Sequence, residues 1–195
     1  MNKRSLINLP NALTFARIGL TPLFLLLLAA ESWYGKGLAF VVFSVASLTD
    51  FYDGRLAREG GRETAFGRFM DPLADKILVT SALVAFALGR LVNVWLVLPV
   101  IVRDVVITVV RLYGIYCGRQ LQTSRLAKWK TAFQLFSVVV ILFALGVEAV
   151  LAHLGKATGG EWLPLMSNGL MAAVLVLTLL SGGQYLWGGG RAASK

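Results

Sequence analysis

The sequence predicts an all-α integral membrane protein, a six-transmembrane-helix bundle built as a single domain over residues 1–195. Three observations predict it. Hydrophobic residues make up 57% of the chain and charged residues only 15%, too little polar surface to cover the core of a soluble domain of this size. Six apolar stretches approach the ~20 residues that a helix needs to cross the hydrocarbon. The basic residues, finally, are distributed along the chain in alternation. Unbroken apolar runs, rather than period-two alternation, fit helices and not a barrel.

Taken in order, the stretches are 12–30, 37–53, 71–88, 91–110, 132–151 and 163–185. The first follows Lys3 and Arg4 and superficially has the pattern of a secretory leader. Polar residues from Ser5 to Asn11 and Arg17 within the run argue instead for a span. The second and third are short unless they run through acidic residues. Ile77 to Leu88 is an apolar run of twelve residues, about 18 Å of helix against ~30 Å of hydrocarbon. The third helix must therefore reach back through Asp75 and Asp71, and the second must run through Asp50 toward Asp53.

The formal charge of +9 is not a nucleic-acid signal once its distribution is read. Lys3 and Arg4, the second loop (Arg55, Arg58, Arg62, Arg68, Lys76), the fourth loop (Arg119, Arg125, Lys128, Lys130) and the tail (Arg191, Lys195) hold thirteen basic residues. The other loops hold Lys36, Arg90 and Lys156. By the positive-inside rule both termini and the second and fourth loops are cytoplasmic, facing anionic membrane lipids. Arg17, Arg103 and Arg111 fall within or at the ends of apolar stretches, where an ionisable group marks function by default. Snorkelling accounts equally for Arg17 and Arg111. Arg103 lies too far along its helix for that and needs a partner, for which the adjacent Asp104, pointing elsewhere on the helix, is not an obvious choice.

Four of the five aspartates lie between positions 50 and 75. Asp50, Asp53, Gly54 and Ala57 share a helical stripe, and so do Asp71 and Asp75. Four carboxylates in one pocket stay ionised only if cations enter, and hard oxygen donors favour Mg²⁺ or Mn²⁺. A two-metal site of this kind clamps a diphosphate during in-line displacement at phosphorus. The small residues Gly54, Ala57 and Gly67 let a flat ligand or its phosphates approach the backbone, though tight helix packing uses the same residues. Arg58 is within reach of a phosphate oxygen or is simply one more cytoplasmic charge.

The stretch DFYDGRLAREGGRETAFGRFMDPLADK resembles the CDP-alcohol phosphatidyltransferase family, whose motif is D-x2-D-G-x2-A-R-x8-G-x3-D-x3-D. Asp50, Asp53, Gly54, Ala57, Arg58, Gly67, Asp71 and Asp75 match every fixed position. The resemblance implies a six-helix homodimer in a bacterial cytoplasmic membrane, with a cytoplasm-facing polar active-site cavity. It implies two metals on the four aspartates, Asp75 as the base for the acceptor hydroxyl, cytidine against Gly54, Ala57 and Gly67, and Arg58 near the phosphates. LPNALTFARIGLTP, DPLADK, RDVVITVVR and KWKTAFQ look most like members that transfer the phosphatidyl group of CDP-diacylglycerol to sn-glycerol 3-phosphate. Asp104 departs from the glutamate usual there, and Ala127 from the usual glycine. An acceptor that already carries a phosphate agrees with the cations Arg103, Arg111, Lys128 and Lys130, although a basic fringe on anionic lipid is the alternative for Lys128.

Other acceptors within the family are phosphatidylglycerol, serine and inositol phosphate. A membrane prenyltransferase also binds a metal diphosphate through aspartates, but the glycines and arginine between the pairs favour a nucleotide-lipid. A cation transporter would place its carboxylates at the midplane with repeat symmetry, which is not visible here. Hydrolases of the Ser-His-Asp or Cys-His type are disfavoured because the single histidine, His153, falls at the opposite end of its helix from the aspartates, as an interfacial side chain. Cys117 reads as a small buried thiol. Glu148 reads equally as facing the bundle or the outer interface.

Overall fold

The computed structural model describes residues 9–59, 65–117, 125–156 and 161–188, with side chains described at 16–49, 73–74, 76–110, 112–114, 116–117, 126–156 and 161–183. The described residues form six helices and no strand: α1 Leu9–Ala29, α2 Trp33–Glu59, α3 Ala65–Leu88, α4 Val94–Tyr116, α5 Arg125–His153 and α6 Trp162–Gly188. Two of them, over Leu126–His153 and Trp162–Gly183, are long and apolar enough to cross a bilayer, and Ala16–Ala29 and Lys76–Leu88 are shorter apolar segments.

The helices exceed their apolar runs, and the ends have local causes. α4 starts at Val94 rather than 91 because Asn93 caps it: the Asn93 side-chain oxygen accepts from Trp95 N at 3.0 Å, a typical N-cap bond. Asn168 of α6 in turn accepts from Asn93 N at 2.8 Å. α5 begins seven residues before its apolar run and, at 29 residues, is about 43 Å long. Arg125, Lys128 and Lys130 therefore stand on a helix rather than in the expected fourth loop, as Arg55 and Arg58 stand on α2 and Arg68 and Lys76 on α3. Between α1 and α2 the turn is tight: a Cβ on Gly35 would lie 2.9 Å from the Ala30 Cβ and 3.1 Å from the Leu27 carbonyl oxygen.

The chain divides into two compact units. One contains α1, α2, α3 to Ala85 and α5 from Leu142. Its core comes from stripes at helical spacing: Arg17, Thr21, Phe24 and Leu28 on α1, Ala39, Phe43 and Ala46 on α2, and Ala74, Leu78 and Ala82 on α3. Phe24 meets Phe43 with ring centroids 5.4 Å apart, and His153 stacks on Trp33 at 5.4 Å.

The other unit contains the end of α3, α4, α5 to Ile141, and α6. Its buried stripes change character along their length. Val97 and Val100 give way to Asp104 on α4, Ile141 and Val138 to Ser137, Gln134 and Lys130 on α5, and Leu163, Met171 and Val174 to Thr178 and Ser181 on α6.

Outward faces are apolar. Val102, Val105, Val106 and Val109 of α4 are each more than half exposed, the reverse of a soluble helix and a pattern that calls for an apolar surrounding. Six hydroxyls obey the same constraint: Thr21, Thr49, Thr108, Thr131, Ser137 and Thr178 each donate to the carbonyl four residues back, which satisfies them without water, whereas the buried hydroxyls of Ser44, Ser47 and Ser167 have no partner among the described residues.

Candidate functional site

The family-type motif is carried by two consecutive helices. Asp50, Asp53, Gly54, Ala57 and Arg58 lie on the last turns of α2, and Gly67, Asp71 and Asp75 on the first turns of α3. The expected extensions of both helices through the aspartates are thus present, and α3 continues through Pro72. The side chains of these eight residues, and that of Arg111 on α4, lie outside the described residues, as do the partner sets predicted for them. Among the described residues no group of three acidic, histidine or cysteine side chains forms a metal site.

The cations of α4 and α5 are described in detail, and the structure draws a finer distinction than their positions in the chain. Lys128 is exposed. Lys130, two residues on, is fully buried. Its ammonium donates to Asp104 Oδ1 of α4 and to Gln134 Oε1, one turn along α5, at 2.6 Å. The same Asp104 oxygen accepts from Arg103 Nη1 at 3.3 Å. Arg103 Nη2 donates to Ser181 Oγ of α6 at 2.9 Å, and Ser181 donates to the Thr178 carbonyl at 3.1 Å. One continuous polar network thus links three helices of a single compact unit.

Asp104, not an obvious choice of partner from its helical position, does serve Arg103. Adjacent helical positions do diverge by about 100°, but the arginine stem is long enough to curl its guanidinium back to its neighbour. The Arg103 Nε is buried and has no acceptor among the described residues.

Arg17 is 5% exposed and does not snorkel. Cys117 is exposed at the end of α4, not the buried thiol expected from its size. Glu148 is half-buried. Gln134 and Ser181 do not stand out in the sequence, where Asp104 stands out only as a departure from a family pattern and as the neighbour of Arg103. A signal was present, since Ala127, Lys130, Gln134, Ser137 and Ile141 follow one helical stripe that runs from polar into apolar positions.

Residues 7–182 match the family described as CDP-alcohol phosphatidyltransferase. The chain is similar to the CDP-diacylglycerol–glycerol-3-phosphate 3-phosphatidyltransferase of Bacillus subtilis, at 37% identity over 147 residues covering 69% of this chain and 76% of the relative. The Pseudomonas fluorescens protein of the same name is 38% identical over 141 residues, 69% of this chain and 72% of the relative. That of Rickettsia typhi is 30% identical over 178 residues, 91% of this chain and 94% of the relative.

Proposed function

The chain belongs to the CDP-alcohol phosphatidyltransferase family, and we propose that it transfers the phosphatidyl group of CDP-diacylglycerol to sn-glycerol 3-phosphate, releasing CMP and forming phosphatidylglycerophosphate. The observation that carries the reading is the complete eight-residue motif, set on the end of α2 and the start of α3 with only residues 60–64 between. The names of the relatives point to the same donor and acceptor.

Asp50, Asp53, Asp71 and Asp75 supply four hard oxygen-donor groups from two helix segments that adjoin in the chain. That donor set fits divalent cations such as Mg²⁺ or Mn²⁺ in a two-metal site. When bound, the cations offset the charge of the diphosphate. Gly54, Ala57 and Gly67 admit the cytidine nucleotide close to the helix backbones, and Arg58 binds its phosphates. Asp75 accepts the proton of the acceptor hydroxyl. That oxygen attacks the phosphorus bearing the diacylglycerol, the bond from this phosphorus to the bridging oxygen breaks, and CMP leaves with the bridging oxygen. No covalent enzyme intermediate forms.

The acceptor arrives with a phosphate of its own, and Arg103 binds it, with Arg111 and the exposed Lys128 adding positive charge. Lys130, enclosed by Asp104 and Gln134, contributes through the network. All six helices span a bacterial cytoplasmic membrane, with the motif and both termini on the cytoplasmic side and two chains forming a homodimer. For the topology, a cysteine replacing Lys36 or Lys156 in a Cys117-free background is expected to react with an impermeant thiol reagent on intact cells. Labelling only after permeabilisation would reverse the orientation.

The activity is tested with purified protein, CDP-diacylglycerol and Mg²⁺ or Mn²⁺, supplying glycerol 3-phosphate, serine, inositol phosphate or phosphatidylglycerol in turn. CMP release is expected with glycerol 3-phosphate and to stop on chelation. Turnover with another acceptor alone would reassign the reaction within the family.

A further inference from the structure

Arg103 is held at both terminal nitrogens by groups that have no assigned part in the reaction. Ser181 is fully buried and 78 positions from Arg103 in the chain. Its hydroxyl is used twice, accepting from Nη2 and donating to the Thr178 carbonyl, so its orientation is set by α6 itself. Asp104 takes the other branch at Nη1 and is itself bound by the buried Lys130. A guanidinium is planar, and contacts at both ends of its fork fix the plane as well as the position. An arginine preset in this way does not lose its rotamer freedom again when an anion binds. Ser181 is neutral, so its contribution is orientation rather than charge.

We propose that Ser181 and Asp104 are positioning residues that preset the Arg103 guanidinium for the phosphate of the acceptor. The inference rests on the reading of Arg103 as the acceptor-phosphate contact. Ser181→Ala is the cleaner probe, because it leaves every charge in place. In the full-length enzyme it is expected to raise the KM for glycerol 3-phosphate about 3- to 10-fold. The KM for CDP-diacylglycerol and the kcat at saturating acceptor stay unchanged. Ser181→Thr keeps the hydroxyl and restores most of the acceptor affinity, as does Asp104→Glu relative to Asp104→Asn.

The deciding comparison is the double variant. In an Arg103→Gln background, Ser181→Ala has no further effect on the acceptor KM if it acts through Arg103, whereas a packing role gives effects that multiply. Multiplying effects, or a silent Ser181→Ala beside a strong Arg103→Gln, overturn the positioning role alone. A silent Arg103→Gln overturns the acceptor reading and the positioning role together.

Discussion

The motif segment of α2 and α3 and the network of α4, α5 and α6 place ionisable groups in an apolar chain in opposite ways. Between positions 50 and 75, four carboxylates stand as two pairs, three and four residues apart, and in the proposed reading their charge is offset by divalent cations brought in from outside. Around Arg103, two cations share one carboxylate oxygen, and Gln134 and Ser181 take further donors. In that reading the first arrangement receives ligands. The second is largely satisfied by the protein and holds one cation in a set pose.

The largest effects are expected at the aspartates. Asp75→Asn removes the proposed base and a metal ligand, and transfer is expected to fall by about 10²- to 10⁴-fold or more, with Asp71→Asn similarly inactive. Both variants keep their thermal stability, because relieving repulsion among like charges does not unpack a core. CMP release and thermal unfolding in the same detergent check both halves, and full turnover in either variant contradicts the assignment.

In the network the balance is reversed, and stability suffers. Lys130→Met leaves Asp104 buried without its main counter-charge, a change expected to cost about 3–5 kcal/mol. The neighbouring Lys128→Met, at an exposed position, is expected to change stability by less than about 0.5 kcal/mol. Equal unfolding temperatures for the two variants would remove the distinction between a frame lysine and a fringe lysine.

The two regions also differ in how far they could be read from the chain. The aspartate motif was legible because its spacings are local: three, four and seven residues specify a helical face before any tertiary contact is known. The six helices were legible for the same reason, from the lengths of their apolar runs. Their ends were not, since α4 begins at a cap made by Asn93, and α5 carries its first seven residues beyond the apolar run. The network was illegible where it depends on pairing. Lys130 meets Asp104 across 26 positions and Arg103 meets Ser181 across 78, separations that periodicity does not encode. By charge count alone, Lys130 and Lys128 were the same residue twice.

If the motif serves the CDP-lipid and the Arg103 network serves the acceptor, Arg103→Gln separates the two KM values, and that pair of constants is the measurement to make. A charge-assisted hydrogen bond is worth about 1.5–3 kcal/mol. The KM for glycerol 3-phosphate is expected to rise roughly 10- to 100-fold while the KM for CDP-diacylglycerol stays within about 2-fold of wild type. An unchanged glycerol 3-phosphate KM, or an equal rise in both, would contradict that division of roles.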